Sequence, residues 1–230
     1  TLDGIPNLQL DNLRVNSGAP TVLQALQLQS AGVSFLGVNL AGAQSTTLAI
    51  ALNLADIPGL NIANLTVTDR SLSASQALVL NAEGINLSGK SVSASTVTVS
   101  DAEALIRIPD INLDQVQISG GEVTAIQALA FNKRGIDFNA TELAVGQIAS
   151  VSDAMTLSGI SGLNIAGKLI VTGDTLTVYQ AITLHNDGVI FSGKSIALGE
   201  SCTATTAMTL IGISGLSITG VTVTDNPSIS

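Results

Sequence analysis

Apolar and polar residues alternate along this chain in short runs, and the runs recur. Five segments line up: IPNLQLDNL from Ile5, IPGLNIANL from Ile57, IPDINLDQV from Ile108, ISGLNIAGK from Ile160 and ISGLSITGV from Ile213. A second series, AGVSFLG, EGINLSG, RGIDFNA and DGVIFSG, lies between them, so the unit is about 26 residues and alternate units differ slightly. One column sets the register: Asn7, Gly32, Gly59, Gly84, Asp110, Gly135, Gly162, Gly188 and Gly215. Gly, Asn and Asp are the residues that tolerate a left-handed backbone, so the column reads as one tight corner made nine times.

After each corner the first and third places are apolar, as in Leu60/Ile62, Ile85/Leu87, Ile136/Phe138 and Val189/Phe191, and the residue between is usually polar. That period of two is a strand with one buried face. A second face follows, with Leu13/Val15, Leu65/Val67, Val116/Ile118, Leu169/Val171 and Val221/Val223. A third is announced by alanine at 25, 51, 77, 128, 154, 181 and 207, with Ala102 or Ala104 in the fourth unit. No segment carries a 3.6-residue apolar stripe for three turns, and Val, Ile and Thr favour strands. The pattern therefore predicts an all-β fold, a right-handed parallel β-solenoid (β-helix) of about nine coils of roughly 26 residues with three short strands per coil. Residues 1–230 read as a single solenoid domain of two-coil repeats starting near 5, 57, 108, 160 and 213. At the strand spacing of roughly 4.8 Å such a stack would be on the order of 40 Å long, with an amide ladder along the Asn61 to Asn164 column.

Composition narrows the class. Apolar residues make up 46% and aromatics only 2%, which suits a narrow aliphatic core, and the 11% of charged residues suits outer faces of Ser, Thr and Asn. A net charge of −9 disfavours nucleic-acid binding through a basic patch. The single cysteine, Cys202, allows no intrachain disulfide, and no apolar run reaches the length of a membrane span.

Chemistry-bearing groups are sparse, and we expect no catalytic, cofactor or metal site. His185 is the one histidine and reads as a turn residue, and Cys202 reads as a buried or merely tolerated thiol in a polar loop. A weak acidic candidate is the patch Asp110, Asp114 and Asp137, which a carbohydrate-active solenoid would use as general acid and base or to hold calcium. Arg107, Lys133 and Arg134 are near it in sequence, without an aromatic platform for a sugar. Thr-x-Thr pairs at 66/68, 96/98, 175/177 and 222/224 keep no common register, which argues against an ice-binding array.

Segments such as Gly84-Ile85-Asn86-Leu87-Ser88-Gly89 and Gly162-Leu163-Asn164-Ile165-Ala166-Gly167 resemble repeats of bacterial secreted β-solenoid proteins, the filamentous-haemagglutinin-like adhesins. The resemblance is one of class and implies an exported fibre or adhesin stalk at the cell surface or outside the cell. The expected function is thus a structural segment or subunit of an extracellular fibre, adhesin or biofilm filament. Its partner would be a second copy, docked head-to-tail through open terminal coils, or flanking coils of a longer chain, with Pro227 after Asp225-Asn226 blunting the last coil. Alternatives are a polysaccharide-binding or polysaccharide-cleaving β-helix, with surface glycans as partner, and a lipid-conducting β-groove.

Overall fold

The computed structural model describes residues 2, 4–173 and 175–224. Asp225, Asn226 and Pro227, the stretch expected to blunt the last coil, lie outside the described residues. The chain divides into two compact units, Thr1–Val116 and Gln117–Ser230. Both are built from short parallel strands, as the alternating pattern predicts, but neither is all-β.

The first unit holds helices α1 (Val22–Ser30), α2 (Leu48–Ala55), α3 (Ala74–Ala82) and α4 (Val99–Ile106). The second holds α5 (Ala125–Lys133), α6 (Val151–Ser158), α7 (Val178–Asn186) and α8 (Ala204–Ile211). They occupy the segment announced by alanine, which the sequence pattern predicts as a third strand. Each helix is only eight or nine residues, two turns and a little more, so its apolar stripe is too short to stand out as a period. What makes these segments helical is their start. Ser or Thr at the N-cap accepts the backbone N–H three residues on in each of them, and in α1, α3, α5 and α7 a Gln at N3 reaches back to complete a capping box. The alanine is the helix's inward contact: Ala25, Ala51, Ala77, Ala102, Ala128, Ala154 and Ala181 have no exposed surface. Three residues further, Leu54, Leu80, Leu105, Phe131, Leu157, Leu184 and Leu210 are equally closed off.

The backbone turn is shorter than the sequence repeat. Helices keep step with the repeat, one in each of the first eight repeats. Parallel strand partners lie closer along the chain than that: Arg14 is level with Ser34, Val38 with Leu60, Ser71 with Ser91, Glu122 with Glu142, Ile148 with Ile170 and Ile170 with Ile190. Between successive helices lie three short extended pieces, strands except for the single bridging residues Asn86 and Asn112, so a repeat has four segments, whereas one turn of the coil takes three. Each repeat therefore overshoots its turn by one side, and the expected coil, a full repeat long, is replaced by a coil one segment shorter.

The sheets record this walk directly. In the second unit Glu122–Val123, the last strand before α5, pairs with Thr141–Leu143, the middle strand after it, which pairs with Leu163–Asn164, the first strand after α6. The same third, second, first order builds the sheets Gln147–Ala149/Leu169–Thr172/Ile190–Ser192 and Thr175–Leu176/Lys194–Ile196/Leu216–Ser217. In the first unit Gln44–Thr46 pairs with Leu65–Val67, and Thr66 bridges on to Asn86.

The core of each unit is mainly aliphatic, with Phe35 in the first and Phe131, Phe138 and Phe191 in the second, and runs along its interior. Leu60, Ile62, Leu65, Val67, Ile85 and Leu87 are buried in the first unit, and Ile136, Phe138, Leu143, Leu169, Val171, Val189 and Phe191 in the second. Each such side chain contributes roughly 1.5–3 kcal/mol by leaving water.

Candidate functional site

The corner column is a set of left-handed turns. From Asn7 to Gly215 its nine residues have φ between 54° and 81°, with Asp110 lowest. At Gly59, Gly162 and Gly215 a second constraint is present, because a Cβ there would run into the main-chain carbonyl of Phe35, Phe138 or Phe191, one turn away. These are packing sites of the backbone, with no side chain to do chemistry.

Asp110, Asp114 and Asp137 are all exposed. Asp114 donates its N–H to the Asn112 side chain, 3.1 Å away, in a local turn, and Asn112 is level with Ser91. Asp137 opens the strand Asp137–Asn139 and is level with Gln117. Because the turn is shorter than the repeat, the amide column does not stack on itself: Asn61 is level with Asn39, Asn86 with Thr66 and Asn164 with Glu142. Mixed polar columns take the place of the expected Asn ladder. Among the described residues no group of three or more His, Cys, Asp and Glu side chains is placed to hold a metal ion.

His185 lies in the last turn of α7 and is exposed. Cys202 is buried, one of the two expected states of its thiol, but it lies in the strand Ser201–Cys202, paired with Thr222–Val223, where its polar neighbours suggested a loop. Arg107 and Arg134 are the C-cap residues of α4 and α5, and Lys133 sits in the last turn of α5. In the Thr-x-Thr pairs, Thr98 and Thr177 are helix N-caps, and Thr68 donates its hydroxyl to the Thr46 carbonyl at 3.0 Å. One surface groove of about 380 Å³, lined by Val15, Pro20, Gln24 and Leu28 among others, contains no titratable side chain.

The polar groups with a defined task are ones the sequence did not reveal. The first N–H of α1 donates to the Gln44 side chain, that of α2 to Asp69, that of α3 to Ser95, that of α5 to Gln147 and that of α7 to Glu200. Each acceptor lies 21 or 22 residues beyond its donor. Each is thus one turn on, where it ties a helix start to the coil above and satisfies a donor with no partner inside the helix. Lys194 is fully buried, and its Nζ donates to the Thr172 carbonyl at 3.1 Å. Lys168 pairs with Glu142.

No helix among the described residues is long and apolar enough to cross a membrane. The chain matches no protein-family model, no curated protein and no solved structure.

Proposed function

We propose that this chain is a structural element of an extracellular fibre or adhesin, a segment or subunit whose terminal repeats dock onto further repeats of the same kind. The observation that carries this reading is apolar surface left open at positions that interior repeats close. Leu8 is 44% exposed where its equivalent Leu60 is 7%, and Leu13 is 38% exposed where Leu65 is 0%. Val223 is 49% exposed where Val171 is 0%. Positions equivalent to these are closed elsewhere in the chain, so a further repeat of the same kind, from flanking coils of a longer chain or from a second copy, fits the same surface. A head-to-tail contact whose rotation does not close into a ring grows into a filament.

Negative-stain electron microscopy across a concentration series tests the proposal. The expected result is thin fibres of uniform width that shorten in Leu13→Glu and Val223→Glu. Both positions are solvent-facing in the single chain, so the fold tolerates the charge. Discrete particles at every concentration would overturn self-assembly by this chain.

A further inference from the structure

The groove beside α1 is one wall of a cleft that other repeats complete. Every residue lining it lies between Val15 and Leu28, in α1 and the stretch before it. Ser17, Ala19 and Gln24 are among them, and the residues 52 further on, Asp69, Ser71 and Gln76, line the matching cleft at α3. There the facing wall is α2, through Leu48, Ala49 and Leu52. At α7 it is α6, through Val151, Ser152 and Met155. At α1 no residue of another helix lines the groove. The open side shows in burial. Leu28 is half-buried, whereas its equivalents Leu54, Leu80 and Leu184 have no exposed surface. Gln24 is exposed where Gln76 and Gln180 are half-buried.

We infer that this groove is the seat of one further helix, of the kind represented by α2 and α6, carried by a repeat that continues the same chain ahead of Ile5. The inference rests on the repeat-docking reading above and names its contact. Alternation of the repeats selects the kind of helix. The Ser/Thr-x-x-Gln capping box is present in α1, α3 and α7. The helices that precede α3 and α7 are α2 and α6, each eight residues long and without the box. Both bring aliphatic or Met side chains four residues apart to the cleft, Leu48 and Leu52 in one, Val151 and Met155 in the other. A helix of this kind gains by being covered, as α8 shows. Its Met208 is 70% and its Ile211 69% exposed, where Met155 and Ser158 of α6, with α7 packed alongside, are half-buried. The α8 of a second copy does not fit the seat, however. It is followed by Leu216–Ser217 and Thr222–Val223, the equivalents of the stretch 8–10 and Arg14–Val15, and both sets need the same place between the two helices. A repeat joined directly to Ile5 brings a single set. Docking of a second copy through its terminal strands leaves the groove unused, so either contact can fail while the other holds.

Duplicating residues 32–56 ahead of Ile5 tests this, because the new junction Asp56–Ile5–Pro6 copies the natural Asp56–Ile57–Pro58. Hydrogen exchange read by mass spectrometry should show the added repeat protected and the amides of α1 slowed on the order of tenfold or more. Leu52→Asp in the added copy alone puts a charge in the wall of the cleft and should cancel most of the gain at α1. An added repeat that stays unprotected would overturn the inference. So would one that folds while α1 exchanges as in the parent, or a gain that survives Leu52→Asp. Protection of α1 that rises with concentration in the parent, with no gain from the added repeat, would overturn it in favour of a second copy.

Discussion

At the scale of the residue, glycine does two different jobs in this chain, and substitution separates them. Gly162 and Gly146 share nearly the same left-handed φ, 79° and 74°. A Cβ at Gly146 meets nothing within 4 Å, whereas one at Gly162 meets the Phe138 carbonyl carbon at 2.7 Å. Open left-handed turns accept a methyl group here, since Ala43 and Ala140 have φ of 58° and 49°. Gly146→Ala is accordingly expected to lose about 1 kcal/mol, the usual cost of that backbone region. Gly162→Ala adds a clash with main chain that only a shift of the coil can relieve, and a loss at least twice as large is expected in urea unfolding midpoints. Equal losses would mean that the close approach to Phe138 is not what demands glycine. The left-handed corner is legible in the sequence because few residue types adopt it. The carbonyl beneath it is not, because its position depends on the length of the turn.

At the scale of the element, helix starts carry the information that periodicity lacks. A stripe of Ala and Leu three residues apart is ambiguous over two turns, which is why the alanine segments read as strands. The pattern Thr-x-x-Gln at Thr124 and Gln127, or Thr177 and Gln180, is a start signal readable without any structure. The second support at α1, α2, α3, α5 and α7, the side chain one turn on, is hidden in the sequence because the backbone turn is shorter than the repeat and the two drift out of step. At α7 the two supports serve different donors: Thr177 accepts from the Gln180 N–H at 3.2 Å, and Glu200 accepts from the Val178 N–H at 2.6 Å. Thr177→Ala and Glu200→Ala should each lower stability by about 1 kcal/mol, through a lost cap and a lost charge-assisted bond at a helix N-terminus. In a double-mutant cycle the two losses should add to within about 0.5 kcal/mol. Strong coupling would show that one support forms only when the other is present.

At the scale of the whole molecule, the mismatch between repeat and turn confines every sheet among the described residues to three strands or fewer. A helix takes the next place, so the long unbroken ladders of a pure β-solenoid do not arise, and with them goes much of the edge that invites cross-β growth. Strand partners lie less than one repeat apart along the chain, and helices α5 to α8 each pack on the next, so cohesion in a unit is short-range in sequence. Stability in such an array is a sum of neighbour terms, and damage should stay local. Phe131, buried on α5 with no exposed surface, tests this. Phe131→Ala is expected to cost about 3–5 kcal/mol locally, through lost burial and the cavity left behind. In hydrogen exchange the loss of protection should concentrate in α5, α6 and the strands between them, and leave α8 close to the parent. Uniform loss from α5 to α8 would mean that the second unit unfolds as one cooperative body, with the inter-turn caps at Gln147 and Glu200 coupling its repeats more tightly than nearest-neighbour packing alone.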